Sequence, residues 1–393
     1  MRIHPRPVAS AAFAAGLAVA VAAAGPAWTG SAAPRSMTSD QLSAVAVVSG
    51  SNAWAVGYST STGWDRTLIE HWNGSVWKIV ASPNPAGSSA NNQLDSVAAT
   101  SRSNAWAVGQ FWNGSSWQPM IARWNGNSWK RARCPDPGGK SARDGLAGVA
   151  GTSASSAWAV GEYSRRSALH ALILRWSGGS WRQVSSPEPR GTTASSLSAV
   201  MAISSSNAWA VGAYFKGLSE RTLIEHWNGH GWHLVPSPNV AVLRNALNSV
   251  SGTSARNIWA TGASDNASDF QTLTEHWNGR KWRLVPSSDP GGPNENNELF
   301  GGAVTSPASA LAVGDYFNGN YDQLLIERWN SAGWTQQSVQ NPPGFTLGTL
   351  YGAAIAPSGR AWAVGFYFTG SSMLTLIERW NGSLWLVVPS PNR

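Results

Sequence analysis

Three Glu-His pairs, Glu70-His71, Glu225-His226 and Glu275-His276, are the residues of this chain whose types most suggest chemistry. A carboxylate beside an imidazole can hold a metal ion or move a proton. Their spacing argues against both. Each pair occupies one position of an internal repeat, and two further copies carry Glu327-Arg328 and Glu378-Arg379 there. Equivalent positions of a repeat array lie in different units and cannot converge on one ion. A polar pair bridging strands or repeats is therefore expected, with no metal and no cofactor. No Gly-rich phosphate loop, zinc-type His-Glu pair or Gly-x-Ser-x-Gly elbow occurs in the sequence. Cys134 is the one cysteine. Nothing pairs a base with it, so it is read as a small filler at the end of an outer strand. No catalytic residue is assigned.

Two other sets fall near loops. The acids Asp65, Glu162, Glu220, Asp265, Asp269, Asp315 and Asp322 lie around the end of one predicted strand and the start of the next. Two of them on one face could serve as acid and base in glycoside cleavage. Nearby runs an aromatic series. The second residue after a repeated Gly is Phe111, Tyr163, Tyr214, Tyr316 or Tyr367, followed directly in four of these five cases by Trp112, Phe215, Phe317 or Phe368, with Trp64 in an equivalent loop. These ten side chains are the candidate binding set, a surface on which a glycan or peptide could stack. The competing reading is that they extend hairpins and pack on one another, because aromatics favour strands.

What must position these residues is a repeat of 50 to 52 residues present in seven copies. Each begins with Leu, reaches a first Trp position twelve residues on, then Gly, then the pattern Trp-Asn-Gly-x-x-Trp, with Ser177 and Ser331 as single departures. First Trp positions are Trp54, Trp106, Trp158, Trp209, Trp259 and Trp362, with Leu311 standing in once. Every run between turn residues has strand length, and Asn-Gly between apolar runs signals a tight hairpin with positive φ at both central residues. Each copy thus reads as a four-stranded antiparallel meander, and the period points to a seven-bladed β-propeller, an all-β fold. Repeats start near 42, 94, 146, 197, 247, 299 and 350, so the propeller spans 42–393. Small residues such as Ala44, Gly148 and Gly352 place the first strand beside the axis. Lys, Arg and Pro in the fourth strand place it outermost, where charge and Pro resist edge pairing. The tryptophans become mortar between blades. No half-blade is permuted, so closure is expected from side-chain packing alone, without a swapped strand.

The first 33 residues form a separate object. Arg2, His4 and Arg6 precede an Ala-rich apolar stretch from Val8 to Ala24, followed by small residues. This pattern is that of a secretory signal peptide with cleavage between 24 and 33, leaving 34–41 as a short N-terminal segment. A membrane association is expected only if that leader stays uncleaved. The formal charge of +8 is spread around the copies rather than gathered in a patch. Nucleic-acid binding is not expected from such a distribution.

The Asn-Ala-Trp-Ala-Val-Gly and Trp-Asn-Gly-x-x-Trp motifs, followed by Val-Pro-Ser-Pro, resemble a group of secreted bacterial repeat proteins, themselves mostly described as predicted propellers. Period and strand count are also similar to kelch and Asp-box propellers, although the kelch diglycine is absent. The resemblance implies architecture and export and supplies no catalytic residues. The expectation is an exported, monomeric binding or adhesion scaffold that recognises an extracellular or cell-surface glycan or protein on the face carrying the blade connections, where loop variation concentrates. The alternative is a carbohydrate-active enzyme, hydrolase or lyase, using carboxylates on that face.

Overall fold

The computed structural model of the protein describes residues 39–60, 63–265, 269–356 and 358–393. The expected leader and most of the segment after it lie outside the described residues. Twenty-eight strands and no helix occur among the described residues. The first blade holds β1 (Ser39–Ser49), β2 (Asn52–Thr60), β3 (Asp65–Trp72) and β4 (Trp77–Ile79), paired antiparallel in sequence order. The same four-strand unit recurs over 92–132, 144–184, 194–234, 244–284, 297–336 and 347–387. β1 takes in Ser39 to Gln41, so those residues belong to the blade rather than to a preceding segment.

There is no single core. Seven buried clusters occur among the described residues, each at the junction of two consecutive blades. The first Trp of one blade meets the second and third Trp of the next. Trp54 lies 4.8 Å from Trp124 and 5.1 Å from Trp129 between ring centroids. Trp158 stands likewise against Trp227 and Trp232, and Trp362 against Trp72 and Trp77. A fully buried indole removes about 200 Å² from water, contributing roughly 5 kcal/mol before entropy is counted. The second Trp also anchors its own blade: Trp72 Nε1 donates to the Gly50 carbonyl at 3.1 Å, and Trp176 Nε1 to that of Ala154.

Two expectations are corrected. The hairpin between Trp72 and Trp77 is not a two-residue turn, because these residues pair directly across it and four residues lie between them. Gly74 has positive φ, at 107°, whereas Asn73 is not among the positive-φ residues. The Asn73 side chain closes the loop instead, its Oδ1 accepting the N–H groups of Ser75 and Val76 at 3.0 Å each. The second correction concerns the junction of the last and first blades, which is not side-chain packing alone. Ser39 forms one parallel backbone bridge with Met373, and the Arg393 N–H donates to Asp40 Oδ2 at 2.6 Å. The junction is otherwise like its neighbours. A Cβ on Gly352 would lie 2.8 Å from the Ala44 Cα, which shows how closely the two first strands approach.

Candidate functional site

The first strands of all seven blades line one central cavity of about 260 Å³. A bulge in each of them aims the site. The register with the second strand slips after the repeat Leu in every blade, as between Leu42 and Ala44. The extra residue of a bulge escapes the alternation of the strand and is re-aimed. Here it is Ser43, Asp95, Ala147, Ser198, Asn248, Phe300 or Tyr351, and each lines the cavity. The repeat Gly of the facing strand makes room for the bulge. A Cβ at Gly57, Gly109 or Gly314 would overlap the main-chain oxygen of Gln41, Gln93 or Glu298.

The bulge residues are of six types in seven blades, while their neighbours scarcely vary. The preceding residue is always Leu and the following one is Ala, Ser or Gly. Phe300 and Tyr351 form an aromatic pair with centroids 5.3 Å apart, and Tyr351 stacks further on Phe366 at 6.0 Å. Asn248 Nδ2 donates to the Leu299 carbonyl at 2.9 Å. Asp95 is the charged side chain of the cavity wall. Its Oδ1 is buried and has no hydrogen-bond partner among the described residues. Burial pushes its carboxyl up to about 8.

Around this wall lies a polar belt on the side of the blade connections. The residue before each repeat Leu pairs with the residue after each repeat Gly, giving Gln41 with Tyr58, Gln93 with Gln110 and Glu298 with Asp315. Tyr58 Oη donates to Gln41 Oε1 at 3.2 Å, and Gln93 Nε2 donates to Asp65 Oδ2 at 2.6 Å. Thr349 Oγ1 donates to Asp315 Oδ2 at 2.6 Å. Asp315 borders the surface yet is enclosed by its neighbours. Burial first, then the Glu298 charge, holds its carboxyl well above the usual range. Burial and the charge of Asp322 push Glu298 up to about 7. Burial, with Asp315, Tyr58 and Glu298 nearby, keeps the Tyr351 hydroxyl protonated. In blades four and five the same pairs are Ser196 with Ala213 and Ala246 with Ala263. The belt is therefore lopsided, acidic and aromatic on one arc and small and uncharged on the other.

In fold, the chain is a β-propeller. No family model and no curated protein matches the sequence. Among solved structures it is similar to an ulvan lyase, a polysaccharide lyase bound to -[GlcA(1-4)Rha3S]-, at 10% identity and a TM-score of 0.54, over 86% of this chain and 92% of that one. It is also similar to YCF48 from Cyanidioschyzon merolae, at 13% identity and a TM-score of 0.50, over 88% of this chain and 97% of that one.

The ten expected binding aromatics do not form the cavity wall. Phe111, Tyr163, Tyr214, Tyr316 and Tyr367 pack into the blade junctions. The reason is the two-residue alternation of a strand. The residue directly after the repeat Gly faces the next blade beside the channel, and the one after that faces the previous blade. Trp112 packs against Trp117 in its own hairpin, at 5.9 Å, and Phe215, Phe317 and Phe368 are half-buried at strand ends. Trp64 is 43% exposed at a loop. Of the seven acids, Asp315 and Glu162 sit in the polar belt with Asp65 beside them. Glu162 pairs with Arg143 at 3.4 Å and Glu220 with Arg244 at 3.4 Å. Asp322 opens the strand after Asp315 and acts on its charge, whereas Asp265 and Asp269 lie at the loop of blade five.

The Glu-His and Glu-Arg positions are structural. Glu70, Glu225, Glu275, Glu327 and Glu378 are fully buried. Glu70, Glu225 and Glu327 accept hydrogen bonds from Ser390 Oγ, Ser186 Oγ and the Ser288 N–H, each at the end of the preceding blade. His71, His226 and His276 pack against the first Trp of their own blades at 4.3 to 4.5 Å between ring centroids, and burial lowers their basicity. Arg123 and Arg175 place a guanidinium over the same Trp in their blades. Among the described residues no group of three or more His, Cys, Asp or Glu is placed to hold a metal ion. Cys134 packs in the junction that contains Leu174, the residue standing where five other blades have Glu, and burial raises its thiol far above reactive range.

The bulge residues are what sequence reasoning missed. The available signal was a residue that varies among the copies between two that hold nearly constant.

Proposed function

We propose that this protein is an exported binding scaffold, a closed seven-bladed propeller that engages an extracellular or cell-surface glycan or protein at its central channel and the polar mouth around it. One observation carries the reading. The bulge residues vary among the copies between a constant Leu and a small residue, and all seven of them line one cavity. A rigid repeated frame that varies the side chains facing a shared hollow is organised for recognition. Export rests on the leader pattern of 1–33.

Glycan-array and pull-down screens test the proposal, run in parallel on the protein and on Tyr351→Ser, which carries a residue natural to the bulge of blades one and four. A ligand whose capture weakens at least about tenfold in the variant supports channel recognition. Equal capture by both proteins places binding elsewhere and refutes it.

A second reading, a carbohydrate-active enzyme, is favoured by the facing Glu298 and Asp315 carboxyls. Burial, with the charge of Glu298 acting on Asp315 and that of Asp322 on Glu298, holds them protonated toward neutral pH, as a general acid requires. Polysaccharide cleavage abolished by Asp315→Asn would establish it, and absence of cleavage across a panel of neutral and acidic polysaccharides would dismiss it.

A further inference from the structure

We propose that the central channel recognises a cationic group, an ammonium or guanidinium carried by its ligand, with Asp95 as the counter-charge and the Phe300–Tyr351 pair as the aromatic wall. The inference rests on the channel reading above and names the ligand class for it. Three observations converge. Asp95 is extruded by its bulge into the cavity, and its buried Oδ1 has no hydrogen-bond partner among the described residues. A buried acceptor left without a donor is costly unless something supplies one. Phe300 and Tyr351 line the same cavity as a close pair, and aromatic faces attract organic cations. Acidic groups dominate the arc around them, although Arg244 acts on Glu298 and Arg143 borders a small adjoining pocket with Asp95. Tyr58 feels the charges of Asp65 and Asp95, and Tyr351 those of Asp315 and Glu298.

The opposite part of the cavity wall is small and uncharged, with the Arg143–Glu162 pair in the adjoining pocket rather than on the wall. Ala147, Ser198 and Asn248 complete the bulge ring there, and Gly148, Ser249 and Gly301 keep the wall thin. A lone carboxyl, two aromatic faces and a small uncharged far wall fit a ligand that presents one compact positive group on a slender stem. An anionic glycan or a bulky neutral ring gains nothing from that arrangement. Burial already disfavours the ionised form of Asp95, and a cation beside it would restore that form. The protein as a whole carries a formal charge of +8, so an acidic channel is a local feature and not a reflection of overall composition.

An ammonium can come from a lysine side chain or from an amino sugar, and a guanidinium from arginine. Calorimetric titration of the protein distinguishes these sources, using a lysine-rich peptide, an arginine-rich peptide and a chitosan oligomer as cationic probes. The acetylated lysine peptide and acetylated chito-oligomer serve as uncharged counterparts. The expected result is binding by at least one cationic probe, at least about tenfold weaker for its uncharged counterpart and for Asp95→Ser. Serine occupies the same bulge in blades one and four, so that variant keeps a residue the frame accommodates. Tyr351→Leu removes the aromatic face and is expected to weaken the same probe severalfold. Equal binding of charged and uncharged probes, or binding indifferent to Asp95→Ser, overturns the cation assignment and leaves the channel reading standing. No binding by any cationic probe at millimolar concentration overturns it as well, and a neutral or anionic ligand found by the array screen would then keep the channel reading alone.

Discussion

Glu275→Gln gives a sharp test of how the buried glutamates behave. Glu275 is fully buried in the third strand of blade five, and neither carboxyl oxygen has a hydrogen-bond partner among the described residues. Burial pushes its carboxyl up to about 8 from an ordinary value of 4.5. In the unfolded chain the group releases its proton near 4.5, whereas in the folded protein it holds the proton to about 8. Between those values the folded state binds more protons, so stability is greatest below the lower one and falls as pH rises. The slope for one group is about 1.4 kcal/mol per pH unit. From about pH 5 to about pH 7 the protein should therefore lose up to roughly 3 kcal/mol relative to the Gln variant, which cannot ionise. For a chain of this length that is a shift of about 4 °C in the difference between their melting temperatures. Urea unfolding of both proteins across that window measures it. Glu70, Glu225 and Glu378 are raised in the same way, so both proteins should weaken as pH rises, and the diagnostic is the gap between them. A gap that stays constant across the window would show that Glu275 is ionised in the folded protein and refute the reasoning.

Two further outcomes follow from the repeat. Trp158→Leu copies the natural Leu311 into a junction where Trp158 packs on Trp227 and Trp232, and should cost about 2–4 kcal/mol in denaturant unfolding while leaving the strand signature in circular dichroism intact. Ser331 holds a φ of 73° at the position where the other six copies have Gly, so Ser331→Gly should stabilise by about 1 kcal/mol, read as a rise in the unfolding midpoint.

The frame was legible because its causes are periodic. A Trp that must reach the next blade and a Gly that must clear a carbonyl recur at fixed spacing, and spacing survives in a string of letters. The hairpin was misread because the geometry of its turn depends on a side chain: Asn73 Oδ1 replaces the backbone conformation that Asn-Gly usually announces. The placement of the aromatic series was not legible because proximity to a loop does not fix which sheet face a residue takes. Tyr316 and Asp315 are adjacent in sequence, yet one closes the junction behind it and the other faces the blade ahead. Asp95 was hidden for a different reason. It sits on a bulge, where the alternation that assigns inside and outside is interrupted, so no window of sequence around it reports that it points into the channel.

The contact between Arg393 and Asp40 has a consequence for where the chain can be opened. At four other blade connections the loop leading into a first strand is held the same way. Asn92 accepts the Ala86 N–H, Asp144 the Gly138 N–H, Asn245 those of Val240 and Ala241, and Asn297 that of Gly291. Asp40 does for the segment after the last blade what those residues do for continuous connections. The junction of first and last blades is thus an ordinary connection with one covalent link removed. A circular permutant that joins 393 to 39 through a short linker and opens the chain between 336 and 347 keeps every strand within its own blade. Blade order around the ring, rather than order along the chain, is what the interlocking tryptophans encode.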